Sequence, residues 1–419
     1  MSDKPFFSIV LPTYNRADLL PFSIKSILNQ TFGDFELVIS NNNSSDNTEQ
    51  VIHSFNDPRI RYFKTEKLLP VLDNWNFALS QARGEYVTFI GDDDANSVAA
   101  FELIKQTLNE NPNCLLLGWQ MCDYYLETYQ APEGKIAENS LGFIPFTGKL
   151  LKKDARQFIQ DIFASDGLTN NFQNNTKYTE LPSLVNAVYH RSLVSKLNKT
   201  KYFFHPSCLA NDRYNAIVTL NEVTDFFYLD YPLHLHGFSP RSGTATIATA
   251  RKSFQKSSEQ LLTKFNCLTY RNYSANALLH AKADLGADLN YIKIDEMRFF
   301  VETFKDLLLL KRQGFDIDDD LKSFRQALLE QPPEFQKEFE GFFSSNLRRV
   351  FDYILYHLKT SLRPSYYALG LAEVVAKSGL NQDATGRILL TGKTEGFTNI
   401  SECAQMMSKD WLGNNRQYD

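Results

Sequence analysis

The sequence predicts an α/β protein: a Rossmann-like, mostly parallel sheet flanked by helices, followed by a mainly α-helical carboxyl-terminal part. Short apolar runs alternate with helical patterns through the amino-terminal quarter, the signature of β-α-β units. Polar loops follow those runs, and beyond Pro240-Arg241-Ser242-Gly243 the chain turns to long helical periodicity. At 419 residues it exceeds the usual size of one domain. A boundary is expected near residues 240–255, dividing a catalytic domain, 1–245, from a helical accessory domain, 246–419.

Phe6 to Leu11 reads as the first strand, and Ala17 to Asn29 as an amphipathic helix carrying Leu19, Leu20, Ile24, Ile27 and Leu28 on one face. Phe35 to Ser40 is the second strand, Asn41 to Asn47 an Asx- and Ser-rich turn, and Thr48 to Phe55 the next helix. Ile60 to Lys64 is a third strand, Asp73 to Ala82 a helix, and Tyr86 to Ile90 a buried strand bounded by Gly84 and Gly91. Leu141 to Asn175 reads as less regular, whereas Val185 to Leu197 and Ala210 to Leu220 read as helices. Later helices are expected at Ser253 to Leu285, Ile294 to Arg312, Leu321 to Glu330 and Leu347 to Leu358.

Composition excludes several classes. Hydrophobic residues at 43% and charged residues at 22% are ordinary for a folded chain. A net charge of −5 gives no basic field for nucleic acid, so none is expected as a partner. Cys114, Cys122, Cys208, Cys267 and Cys403 are scattered and form no C-x-x-C pair, which fits reduced thiols in a cytoplasm. The start has no signal organisation and no window is apolar enough to span a bilayer.

In open α/β sheets ligands bind beyond the carboxyl ends of the strands. Three loops converge there on this reading: Pro12 to Arg16, Asn41 to Asn47, and Gly91 to Asp94. The acidic run Asp92-Asp93-Asp94 suits a hard divalent cation, Mn2+ or Mg2+, which takes one or two carboxylates and completes its shell with substrate phosphates. Asp94 is the first choice as direct ligand, with Asp92 and Asp93 holding a ribose or bridging through water. The same residues would also serve as acidic caps of a helix starting near Val98.

The stretch FSIVLPTYNRADLLPFSIKSILNQTFGDFELVIS, then NNNSSDNT, then ALSQARGEYVTFIGDDDA, resembles the family 2 glycosyltransferases. The likeness is dense from about Phe7 to Leu108 and weaker to about residue 240. It implies a GT-A fold and inverting transfer of a sugar from a nucleotide diphosphate sugar to a glycan or lipid-linked acceptor in surface polysaccharide assembly. It places Pro12, Thr13, Tyr14, Asn15 and Arg16 under the nucleotide and Arg83 near the donor. The Asp-x-Asp metal motif falls on Asp92 and Asp94. Where the family has an Asp that accepts from a uracil imide, this chain has Asn41, which can accept but carries no charge. The family's general base falls on Asp212, in CLANDRYNAIVTL. His234 and His236, in DYPLHLHGF, share one strand face, where solvated polar residues are also common; His236 is a candidate metal ligand, and Arg241 and Ser242 candidate diphosphate contacts.

Two other readings belong to different classes. A catalytically silent sugar-binding or scaffold subunit would keep the fold but not need both an acidic cluster and a base. A nucleotidyltransferase would open with a Gly-rich loop, which is missing here. LLTGKTEG is no phosphate loop, since the position of its first Gly holds Arg387, and no G-x-G-x-x-G follows the first strand. The basic-aromatic run Leu347 to Tyr367 suits packing against a neighbouring domain or subunit, and would also suit an anionic membrane at the inner face of the cell.

Overall fold

The computed structural model describes residues 4–126, 129–131, 134–136, 138–169, 180–200, 202–208, 210–238, 261–312, 315–344, 381–382, 388–391 and 397–407. Arg241, Ser242, the Leu347 to Tyr367 run and the LLTGKTEG glycines lie outside the described residues.

The amino-terminal units form as the periodicity predicts. Strands β1 (Phe7–Thr13), β2 (Phe35–Asn41), β3 (Ile60–Lys64) and β4 (Tyr86–Phe89) alternate with helices α1 (Leu20–Leu28), α2 (Thr48–His53) and α3 (Val71–Ser80). The strands lie in the order β3-β2-β1-β4, all parallel, with Phe7 opposite both Phe35 and Tyr86. β1, β2 and β4 are buried throughout, which is why they read as continuous apolar runs rather than alternating ones.

Beyond β4 the sheet changes character. A two-residue strand β5 (Ala95–Asn96) and α4 (Ala100–Glu110) lead to the long β6 (Leu116–Tyr125), and a short hairpin, β7 (Tyr129–Ala131) with β8 (Gly134–Ile136), stands apart. β9 (Ser140–Phe143) pairs antiparallel with β6, and β10 (Leu150–Asp154) leads into α5 (Ala155–Ser165). The stretch expected to be irregular is thus ordered on both sides of residue 150. The Asp154 carboxylate caps α5 by accepting from the Gln157 N–H at 2.7 Å, and Phe158, Ile159, Ile162 and Phe163 are buried.

The segment expected as one helix from Val185 divides into β11 (Ala187–His190) and α6 (Arg191–Thr200). β11 is an antiparallel filler between β4 and β6. Then come α7 (Asn211–Asn221) and the longest strand, β12 (Asp225–Phe238), which runs parallel to β6 and antiparallel to β5 and β10.

The helices α8 (Tyr270–Leu285), α9 (Glu296–Arg312), α10 (Asp318–Leu329) and α11 (Pro333–Ser344) do not build a core of their own. Phe265, Phe300, Phe324 and Phe339 belong to the same apolar cluster as Phe163, Phe203 and Tyr214. The last described segments return to the other face of the sheet. β13 (Asn381–Gln382) pairs with β14 (Ile388–Thr391), β14 pairs with β9, and α12 (Ile400–Met407) places Ile400, Cys403 and Met407 in the cluster of Ile24, Ile27 and Phe101. The described helices after β12 therefore pack against both faces of the amino-terminal sheet. Among the described residues no helix is long and apolar enough to cross a membrane.

Candidate functional site

A cleft of about 580 Å³ opens at the carboxyl ends of β1 and β4, the edge that open α/β sheets use for ligands. Pro12, Thr13, Tyr14, Arg16, Asp92, Asp93, Asp94, Asp212 and His236 all line it. The structure thus brings most of the sequence-predicted residues to one place.

Local geometry explains how they meet. Asn15 takes a left-handed backbone, φ 52°, and its side-chain oxygen accepts from the Ser45 N–H at 2.9 Å, so it ties two loops together while its neighbours face the cleft. Asn43 is likewise left-handed at φ 55°. Asp46 accepts from the Ala17 and Thr48 N–H groups, closing the loop against the start of α2. Pairing of β5 with β12 sets Ala95 opposite Leu235 and Asn96 opposite His234, which delivers both histidines to Asp94.

Asp94 is buried and fully engaged. One carboxylate oxygen accepts from the Gly91 N–H at 3.0 Å and lies 3.2 Å from His234 Nε2. The other accepts from the Gly237 N–H at 2.8 Å and lies 3.2 Å from His236 Nδ1. Burial opposes its charge, but the two imidazoles overcome that and hold the carboxyl well below the usual carboxylate range. Burial also works against a charge on His236, yet the Asp94 carboxylate raises it to about 9. Direct metal ligation by Asp94 would compete with the Gly91 and Gly237 N–H groups and the two imidazoles around it.

Asp92 and Asp93 are more open. Asp92 accepts from the Thr13 hydroxyl at 2.7 Å, and Arg16 spans the pair, 3.5 Å from Asp92 and 3.8 Å from Asp93. Burial, and then the Asp93 charge, push the Asp92 carboxyl up to about 7 against the pull of Arg16 and Thr13. The donor set here suits a cation: Asp94, His234 and His236 bring ligand atoms within 4.8 Å of one another, beside two further carboxylates. His234 is wholly buried, with Nδ1 2.7 Å from the Asn96 side-chain oxygen, which leaves His236 as the imidazole on the cleft.

Asp212 stands in the first turn of α7 and is half-buried. Its neighbour Asn211 fixes the approach to the helix, accepting from the His205 N–H at 2.8 Å and donating to the His205 and Cys208 carbonyls.

Two expectations are corrected. Arg83 lies at the opposite end of the strands, where it meets the buried Glu36 carboxylate at 3.0 Å beside Ser8 and Arg61. It precedes β4, so it sits at the amino edge of the sheet and cannot reach the cleft. Asn41 is buried with both ends of its amide used, donating to the Tyr62 hydroxyl at 3.1 Å and accepting from the Ser44 N–H at 2.9 Å. The adjacent Asn42 lines the cleft instead. Residues not singled out from sequence also line it, among them Trp75, Met121, Val185, Phe204 and Tyr273. Only the tertiary fold gathers these, because no local pattern marks them.

Fold and site together define an α/β domain with a ligand cleft at the strand ends and an acidic, histidine-backed corner. Residues 8–214 match the sequence model of Glycosyl transferase family 2, and this part of the chain is a family 2 glycosyltransferase domain. The GalNAc(5)-diNAcBac-PP-undecaprenol beta-1,3-glucosyltransferase of Campylobacter jejuni is 36% identical over 159 residues, 36% of this chain and 45% of that protein. The UDP-Glc:alpha-D-GlcNAc-diphosphoundecaprenol beta-1,3-glucosyltransferase WfgD of Escherichia coli is 35% identical over 92 residues, 22% of this chain and 36% of that protein. The chain thus spans less than half the length of these curated relatives. Among solved structures, S. aureus TarS 1-349 in complex with UDP-GlcNAc is similar over 77% of this chain and 90% of that one, with 16% identity and a TM-score of 0.44.

Proposed function

We propose that the chain is an inverting glycosyltransferase that moves a sugar from a nucleotide diphosphate sugar, UDP-linked, to a hydroxyl of a glycan or lipid-linked acceptor in surface polysaccharide synthesis. The observation that carries this is the convergence in one cleft of Thr13, Arg16, Asp92, Asp93 and His236 with Asp212 from a distant helix. The family match runs through Asp212, and the names of two relatives describe transfer to undecaprenol-linked acceptors, which supports the acceptor class.

Each group has a role. Asp212 accepts the proton of the acceptor hydroxyl as that oxygen attacks the anomeric carbon, which general-base catalysis makes worth about 10²–10⁴ in rate. Arg16 and Thr13 hold Asp92, and with it the nucleotide side of the cleft, in place. A bound Mn2+ or Mg2+ would offset the charge that the leaving diphosphate gains. Asp94 and His236, with Asp92 and Asp93 beside them, would hold it. The Asp94 carboxylate, 3.2 Å from His236 Nδ1, also fixes the orientation of that ring. The enzyme would work in the cytoplasm at the inner face of the membrane, where a lipid-linked acceptor presents its sugar.

The test is donor binding and hydrolysis across UDP, GDP and dTDP sugars with manganese, on the wild type, Asp93→Asn and Asp212→Asn. The expected pattern is one donor hydrolysed slowly and only with metal, EDTA abolishing turnover, Asp93→Asn weakening metal-dependent binding, and Asp212→Asn sparing binding while stopping transfer. If no donor binds at millimolar concentration with metal present, the scaffold reading replaces this one.

A further inference from the structure

The lining of the cleft combines two chemistries. Thr13, Arg16, the three aspartates and His236 are polar or charged; Leu72, Trp75, Val185, Phe204 and Tyr273 are apolar or aromatic. A diphosphate belongs with the first group. The second offers apolar and aromatic surface in the same cleft as Asp212, and Tyr273 is the one described lining residue that comes from beyond β12.

Tyr273 is held there by a built linkage. It sits in the first turn of α8, which Thr269 caps by accepting from the Asn272 N–H at 3.2 Å. α8 is in turn fastened to α7, the helix of Asp212. The Tyr214 hydroxyl donates to Asp284 at 2.5 Å. The buried Arg213 lies 3.4 Å from Asp166, whose main-chain oxygen accepts from Arg271 at 2.7 Å, and Arg271 lies 3.0 Å from Asp306. Arg213 follows Asp212 directly and Arg271 precedes Tyr273 by two residues, so the network fixes the tyrosine relative to the base. Facing elements supply the rest of the wall: Trp75 on α3 meets the Phe204 ring edge-on at 5.6 Å, and Asn76 on the same helix donates to the Phe204 carbonyl at 3.4 Å.

We propose that Tyr273, with Trp75, seats a sugar ring of the acceptor, its apolar C–H face against the aromatic wall and its hydroxyl edge toward Asp212. Aromatic rings suit such amphipathic partners because they offer rigid apolar area beside a polar tip. The segment after β12 thereby takes part in choosing the acceptor. This assignment rests on the glycosyltransferase reading above.

The experiment measures acceptor KM and donor KM separately, using the UDP, GDP and dTDP sugars of the donor panel above with manganese and a panel of octyl glycosides of glucose, galactose, N-acetylglucosamine and N-acetylgalactosamine. Tyr273→Ala should raise the acceptor KM about fivefold to tenfold with donor KM moving less than about twofold, the range aromatic contacts account for. Tyr273→Leu, which fills most of the volume without a π face, should show the same defect, and Tyr273→Phe should restore the acceptor KM to within about twofold of wild type. An unmoved acceptor KM in Tyr273→Ala, or equal rises in both constants, overturns the inference while leaving the transferase reading intact. Absence of any metal-dependent donor turnover by the wild type overturns both.

Discussion

Gly237 offers a sharp test of how the acidic corner is built. A Cβ placed there falls on the carbonyl oxygen of Asp93 and within 2.7 Å of its carbonyl carbon, where an unstrained carbon contact needs about 3.5 Å. Relief requires β12 and the Asp92–Asp94 loop to part by about 1 Å or more. That movement would pull the Gly237 N–H from the Asp94 carboxylate, a charged hydrogen bond now at 2.8 Å, for a loss of about 1.5–3 kcal/mol. It would also displace Asp93 and His236, and a 1 Å misplacement of such groups costs on the order of 10² in rate. Gly237→Ala should therefore lower kcat/KM about a hundredfold and lower the urea midpoint, read by steady-state assay and equilibrium unfolding. Gly33→Ala, where an added Cβ meets nothing within 4 Å, is the control and should change neither. If Gly237→Ala keeps kcat/KM within about threefold of wild type, the close approach of strand and loop does not position the catalytic groups.

Asp212→Asn should lower kcat by about 10²–10⁴ with donor affinity measured by calorimetry unchanged, and retention of wild-type kcat would remove it as the base. Arg83→Ala should leave donor KM unmoved and cost about 1 kcal/mol or less, since its half-exposed ion pair with Glu36 is remote from the cleft; a large donor KM effect would place Arg83 at the donor after all. His280 packs on His205 with ring centroids 4.4 Å apart, near Asp284, and burial, then the second imidazole, lowers it to about 4. Because the unfolded side chain takes a proton near pH 6.5 and the folded one only near 4, its contribution is complete above 6.5 and is lost as pH falls through that window, by roughly 3 kcal/mol. His280→Gln should flatten stability over pH 4–6.5 in denaturant titrations, and an unchanged slope would contradict the burial argument.

Much of this was legible in one dimension. Three β-α units, the acidic run at the end of β4, and the alternation that puts His234 and His236 on one strand face all follow from local pattern. Arg83 was legible too, in hindsight of the chain order: it precedes β4, and a residue before a parallel strand lies at the edge away from the ligand. β11 was hidden because Ala187, Val188 and Tyr189 are all buried, which erases the alternation that separates a strand from a helix. The double engagement of Asn41 depends on Tyr62 meeting it from the neighbouring strand β3 and Ser44 from the turn that follows. Tyr273 reaches the cleft only through α7 and α8 packing together, and no spacing in the sequence encodes that.

The return of the chain's far end to its beginning has a consequence for how the protein is made. α12 covers the apolar face of α1, and β14 adds to β9, so the sheet that carries the cleft stays unfinished until residues near 400 have left the ribosome. At about 5–20 residues per second, α1 waits roughly 20 to 80 s for its cover. A nascent chain stalled or clipped before Phe397 would leave open the part of this apolar cluster that Ile400, Cys403, Ala404 and Met407 fill. Synthesis of α12, rather than of the residues lining the cleft, decides when this apolar face is closed.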